Sequence, residues 1–336
     1  MKLATSKRAD LIRRFLLNAI KAGNAGYFHD AMETFELSRQ AIHGHLSALV
    51  KAGLLAATGN TRARNYVLGP VRTHEVSLPL KGLSESDVYY RDFGFVFKDL
   101  PREIENICHY GFTEMLNNAI DHSGGEQVFV VVERTVSKLT IYITDDGEGI
   151  FQHIARLMGL HDLRESLLEL SKGKLTTDPD NHSGQGIFFS SRAFDQFFIA
   201  SDDLTFSHID GDERDWLLHT KKMENGTMVF MEIALASPRT LKAVFDAYTG
   251  SEEEDFAFNK TIVPIKMALY EGERLVSRSQ AKRILNRLDK FTTVILDFSG
   301  VDTIGQAFAD EVFRVFARQQ PHITLQAVHM TEDVRN

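Results

Sequence analysis

The sequence predicts a multidomain chain of mixed α/β and α+β class, divided in three. Three observations carry that expectation. Residues 1–72 hold 11 lysines and arginines against 4 acidic residues, a net of +7 in a chain whose total is −8, so the remainder carries −15. Residues 104–236 alternate helical and strand patterns with acid–glycine and glycine-rich clusters, and from residue 260 strand and helix patterns take turns. At roughly 150 residues per domain, 336 residues suit two or three. The expected boundaries are 1–72, 73–236 and 237–336.

Composition narrows the classes. With 43% hydrophobic and 25% charged residues the chain is not expected to be disordered. Cys108 is the only cysteine, which excludes an intramolecular disulfide framework and a cysteine-built zinc finger and suits a reducing cytoplasm. The 13 histidines show no clustered ligand spacing. No apolar run approaches the ~20 residues that span a bilayer, so no membrane partner is expected. The basic start, Met1–Arg14, precedes only a short apolar stretch before Lys21, so a signal peptide is not expected.

The basic head opens with an amphipathic helix, Ala9–Ala22, with Leu11, Ile12, Phe15, Leu16 and Ala19 on one side. Gly23 and Gly26 break it, and a short helical run, His29–Phe35, follows. A second pattern, Ser38–Lys51, has Ser38 as N-cap and Gly53 as the residue past its end. Leu54–Thr58, a Gly59-Asn60 turn and Arg62–Leu68 read as a hairpin. In this order the segment resembles a winged helix-turn-helix. That resemblance implies that Arg39, Gln40, His43 and Ser47 face base edges, while Arg62 and Arg64 on the wing meet phosphate or the minor groove. Arginine and glutamine pair bidentately with guanine and adenine edges. The competing reading is a protein-docking winged helix with merely solvated charges; the local +7 favours DNA. Because winged helices read paired half-sites, a second copy of the chain is an expected partner.

In the central segment, Glu114, Asn118 and Asp121 fall at i, i+4 and i+7 on one helix face, with Leu116, Ala119 and Ile120 toward a core. The carboxylate is suited to activating water, and the amide oxygen to ligating magnesium, a hard cation. A strand, Leu139–Thr144, runs into Asp145-Asp146-Gly147-Glu148-Gly149-Ile150. Asn181-His182-Ser183-Gly184-Gln185-Gly186-Ile187 then opens a helical run, Phe188–Phe194, where backbone amides suit an anion. Asn225-Gly226-Thr227 leads into an alternating strand, Met228–Ile233.

This ordered set, over residues 85–235, resembles the GHKL ATPases: gyrase B subunits, heat-shock chaperones, histidine kinases, MutL-type repair proteins and anti-sigma-factor serine kinases. The resemblance implies a Bergerat-type α/β sandwich that binds ATP with Mg2+. Glu114 then looks like the general base and Asn118 the magnesium ligand. Asp145 would accept the adenine amino group, Gly147 and Gly149 shape the pocket, Gly184 and Gly186 cradle phosphates, and Thr227 supports the adenine side. Asp121 matches a pocket-edge acid. Phe151–Ser183 would be the ATP lid, from which Lys172 or Lys174 could reach the γ-phosphate, a solvated lysine being the competing reading for each. His109 lacks the adjacent acid of a phosphoacceptor histidine and reads as structural; His122 and His182 flank two of these clusters and could line the pocket, a structural role being the favoured reading for each.

The last segment begins with a connecting helix, Pro238–Tyr248, and an acidic turn, Gly250–Asp255. A strand near Thr261–Leu269, a helix Arg278–Leu288, a strand Thr293–Phe298, a helix Phe308–Gln319 and a strand Ile323–Val328 follow. Ser277 and Gln280 form a capping box. Val294–Val301, with Gly305-Gln306-Ala307-Phe308 after it, resembles STAS-type anti-sigma-factor antagonists, which implies a docking or regulatory module for a protein partner. The serine those antagonists present for phosphorylation is missing; Ser299 and Thr303 read as turn caps.

Taken together, the expectation is a transcription regulator whose nucleotide state controls a DNA-binding head. The alternative is an anti-sigma-factor-type protein serine kinase in a bacterial partner-switching pathway, which the tail favours. A scaffold with a purely structural nucleotide is a third reading, against which the Glu114–Asn118 pair argues.

Overall fold

The computed structural model describes residues 2–59, 64–174, 185–210, 212–219, 225–249, 258–269 and 273–335. The chain divides into two compact units, Met1–His74 with Val132–Leu139, and Glu75–Val131 with Thr140–Asn336.

In the first unit three helices, Lys2–Lys21, Tyr27–Phe35 and Arg39–Lys51, precede an antiparallel hairpin of β1 (Leu55–Thr58) and β2 (Asn65–Leu68). Ile12, Leu16, Ala31, Ile42, Leu46, Leu49, Leu55 and Tyr66 form its core. Ile12 and Leu16 stand one turn apart and face inward together, which turns Leu11, expected beside them, out to 59% exposure. The first helix also begins seven residues before the expected Ala9. Ser38 caps the third helix as its sequence suggests, its Oγ accepting from Ala41 N at 3.3 Å. Arg62 lies outside the described residues.

A seven-stranded sheet, most of it in the second unit, has the order β3-β4-β5-β9-β6-β7-β8. These are β3 (Arg72–Pro79), β4 (Gln127–Arg134), β5 (Lys138–Asp145), β6 (Gln196–Ser201), β7 (Leu204–Ile209), β8 (Asp212–His219) and β9 (Met228–Ala234). Burial alternates along β4 and β9, so one face of the sheet is covered. The Arg102–His122 helix packs on β9 and the Gly186–Ala193 helix on β6, and the two helices pack on each other. Only β5 and β9 were readable from the sequence. In β4 the inward Val128, Val130 and Val132 alternate with Phe129 and Val131, which are apolar too, so the period-2 signal vanishes.

The C-terminal region holds a three-stranded parallel sheet, β10 (Lys260–Pro264), β11 (Thr293–Asp297) and β12 (Thr324–Val328), in that order. Helical crossovers join the strands, as parallel pairing demands. The Ser277–Gln280 capping box is present at the start of the Arg278–Leu285 helix. The strand expected to reach Leu269 stops at Pro264 and turns into a 3-10 segment, Ile265–Ala268. Among the described residues no helix is long and apolar enough to cross a membrane.

Candidate functional site

A cavity of about 380 Å³ opens in the second unit, a size within the ~300–1,000 Å³ usual for small-molecule sites. Glu114, Asn118, Asp145, Gly149, Gly186 and Thr227 all line it. They come from segments separated by as much as 113 residues, and the topology explains the meeting. β9 is inserted between β5 and β6, which sets Thr227, just before β9, against Asp145 at the end of β5.

The contact is direct. Asp145 N donates to the Thr227 carbonyl at 3.0 Å, and Asp145 Oδ1 accepts from Gly147 N at 2.9 Å and from Thr227 N at 3.3 Å. Asp145 is 7% exposed, and burial pushes its carboxyl above the usual aspartate range, against the pull of those backbone donors. Its Oδ2 accepts from none of the described residues. Thr227 Oγ1 accepts from Ile150 N at 3.0 Å and so satisfies one of the donors at the start of the Ile150–Met158 helix. Gly149 precedes that helix at φ +89°, a backbone region closed to most side chains, and a Cβ there would stand 2.4 Å from Ser201 Oγ.

On the other wall, Glu114 and Asn118 sit one turn apart on the Arg102–His122 helix. Gly186 opens the facing helix, and a Cβ on it would lie 2.0 Å from Glu114 Oε2. The Glu114 carboxylate therefore rests against the N-terminal turn of a second helix, next to amides suited to holding an anion. Ile143, Ile150, Ile154, Ile199 and Val229 supply an apolar slot between these polar ends.

The lining offers three kinds of contact. A buried carboxylate with an uncommitted oxygen suits an exocyclic amine, the apolar slot suits a flat ring, and a carboxylate–amide oxygen pair suits magnesium, which takes few protein ligands and completes its shell with phosphate and water. Among the described residues no cluster of three or more histidine, cysteine or acidic side chains could hold a metal by itself.

Other expected residues fall elsewhere. Asp121 is exposed and does not line the cavity, and Gly147 serves it only by holding Asp145. Gly184, with Asn181, His182 and Ser183, lies outside the described residues. Lys172 and Lys174 correct both readings given for them. Lys172 is 1% exposed, its Nζ bonded to Glu169 Oε1 at 2.5 Å and to the Asn286 carbonyl at 2.9 Å. Lys174 Nζ donates to the Lys290 carbonyl at 2.6 Å and lies 4.6 Å from the centre of the Phe291 ring. Neither lysine lines the cavity and neither is a solvated loop charge. His109 packs edge-on against Tyr89 at 4.7 Å, a structural setting.

Sequence reading missed Asn117, His153 and Leu170, which also line the cavity. Asn117 was legible as the neighbour of Asn118. His153 had no motif; its Nδ1 pairs with Glu148 Oε1 at 2.5 Å, and Arg156 joins the same carboxylate at 2.7 Å. The hydrogen bonds from Arg156, then from His153, hold the Glu148 carboxyl down at about 2.

In the first unit Arg39, Gln40, His43 and Ser47 are exposed on the Arg39–Lys51 helix, opposite the buried Ile42, Leu46 and Leu49. Phe28 supports two of them: the Arg39 guanidinium lies 5.5 Å from its ring centre, and the His43 ring 4.9 Å away. Arg64 is exposed and lies 5.6 Å from the Tyr66 ring.

Residues 280–335 match the family described as a STAS-like domain of unknown function (DUF4325), so the C-terminal part of the chain is STAS-like. No curated protein matches the chain. Within that part, Ser299 caps a turn as expected, donating from N and Oγ to Asp297 Oδ1 at 2.9 and 2.8 Å. His329 Nδ1 meets the same oxygen at 2.9 Å.

Proposed function

We propose that this chain is an ATP-binding regulator in which the occupancy of a GHKL-type pocket, in a Bergerat-type sandwich, controls DNA binding by a winged-helix head. The observation that carries the reading is the convergence of Glu114, Asn118, Asp145, Gly149, Gly186 and Thr227 on one cavity. Bound ATP with Mg2+ supplies a labile terminal phosphoryl group. Asp145 Oδ2 accepts the exocyclic amine, and Ile143, Ile199 and Val229 keep water from the ring. The Asn118 amide oxygen would ligate the cation, and the first amides of the Gly186–Ala193 helix would hold the phosphates. Glu114 would take the proton of the attacking hydroxyl, whether of water or of a protein side chain, with ADP as the leaving group. In the head, Arg39, Gln40 and His43 would read base edges while Arg64 would meet phosphate or the minor groove.

The STAS-like match favours a second reading, in which Glu114 activates a partner's serine hydroxyl and the chain is a protein kinase. One experiment separates them. Purified chain is incubated with γ-labelled ATP and the free phosphate is resolved from protein-bound label. Released phosphate supports the ATPase, label transferred to protein supports the kinase, and the absence of nucleotide binding removes both. For the head, DNA affinity that does not fall with rising salt excludes a phosphate-dominated contact.

A further inference from the structure

Two residues that line the cavity are backed by residues of the C-terminal region, and a third belongs to a helix that packs on β10. Met158, Leu170 and Phe188 all line the cavity. Behind Met158, Arg287 Nη1 lies 3.3 Å from Sδ. Behind Phe188, the Phe258 ring packs at 4.7 Å. Leu170 belongs to the Leu163–Lys172 helix, whose residues 166–172 are all buried.

Lys172, at the end of that helix, makes the closest link. Its ammonium has three donors and three oxygens around it: Glu169 Oε1 at 2.5 Å, the Asn286 carbonyl at 2.9 Å and the Arg283 carbonyl at 3.4 Å. The two carbonyls belong to the end of the Arg278–Leu285 helix, where carbonyls lack intrahelical partners and the helix dipole favours a cation. Lys172 thus caps a helix of the STAS-like region from outside it. Thr261 Oγ1 donates to the Lys172 carbonyl at 2.7 Å, and Arg287 adds a bond from Nη2 to the Lys174 carbonyl at 3.1 Å. Glu169, itself 4% exposed, stands three residues before Lys172 on the same helix, and its other oxygen lies 4.0 Å from Arg287 Nη1, so the carboxylate bridges the two cations.

We infer that Lys172 is a positioning residue that makes the STAS-like region the backing of the cavity wall, so that ligand occupancy and the state of that region are coupled. The inference rests on the nucleotide reading above, and it assigns that site a regulator within the same chain. Coupling is reciprocal: whatever tightens the contact tightens ligand binding by the same factor.

The test uses the full chain with Mg-ATP. Saturating Mg-ATP is expected to slow hydrogen exchange at backbone amides of residues 283–290, which do not line the cavity. Lys172→Met and Arg287→Met are each expected to raise the Kd for Mg-ATP at least about fivefold, the lower end of typical couplings, and to abolish that slowing. Arg287 is 23% exposed, so Arg287→Met decides the matter where Lys172→Met fails to fold. A merely structural contact would leave ligand-dependent exchange at 283–290 absent in the unaltered chain. An unchanged Kd in Arg287→Met, or slowing that survives in it, overturns the coupling and leaves the nucleotide reading standing. Failure of the unaltered chain to bind Mg-ATP overturns the nucleotide reading and the coupling with it.

Discussion

Replacing Asp145 by asparagine exchanges one acceptor atom for a donor. The backbone amides of Gly147 and Thr227 both point at Oδ1, so the asparagine carbonyl takes that position and its NH2 falls where Oδ2 was. A ligand amine would then meet a donor instead of a carboxylate. A hydrogen bond to a charged group is worth about 1.5–3 kcal/mol, so ATP affinity should drop roughly 10- to 150-fold. The fold should not suffer. An acid whose folded-state value is raised by burial makes the native state less stable above that range, because its charge is better solvated in the unfolded chain. The amide removes that cost and keeps both backbone bonds, so the Tm of the free variant should hold or rise. Titration calorimetry with ATP and with inosine triphosphate, whose 6-oxo group accepts where adenine donates, checks the geometry. The variant should lose ATP and gain on the inosine nucleotide. ATP affinity within twofold of the unaltered chain, with Tm preserved, would refute the assignment.

Gly186→Ala places a methyl against Glu114 Oε2, the far end of a flexible side chain; Tm and Mg-ATP affinity should change little, while loss of the phosphoryl group, measured with labelled ATP, slows ~10²- to 10⁴-fold. Phe28→Ala removes the ring beneath Arg39 and His43, and should weaken specific DNA binding by about 1–3 kcal/mol in a gel-shift titration without altering its salt slope, whereas Arg64→Ala should reduce that slope by about one. Glu148 has a folded-state value of about 2, below its ordinary 4.5, so its contribution is present above pH 4.5 and lost as pH falls toward 2. Glu148→Gln should flatten the Tm–pH curve in that window, and because the carboxylate is 35% exposed the loss at pH 7 should stay under about 1 kcal/mol.

What was readable in the sequence was local. Ile12 and Leu16 one turn apart, Ser38 ahead of its helix and the Ser277–Gln280 box each report on a few neighbouring residues, and each element formed where those signals lay. The cavity's polar residues were readable because acids and glycines at fixed spacing mark themselves. Its apolar walls were not: Ile199 sits on β6, whose Phe197 and Phe198 are apolar on both faces and show no alternation. Lys172 is the clearest case of non-local control. A lysine before a glycine in a polar stretch looks solvated, and besides the neighbouring Glu169 its partners are the carbonyls of Arg283 and Asn286, 111 and 114 residues away.

The insertion of β9 between β5 and β6 has a consequence for the order of events in making this protein. Glu114, Asn118 and Asp145 leave the ribosome 113, 109 and 82 residues before Thr227, yet the cavity they line is incomplete until the latest-made strand of the sheet enters its middle. Pairings so distant along the chain are slow to form. A ligand that needs both halves ignores every shorter intermediate and recognises only the finished sheet, adding about 2.7 kcal/mol to its stability at a hundred times Kd. Binding competence in this chain is thus a certificate of completed folding, issued by its last central strand.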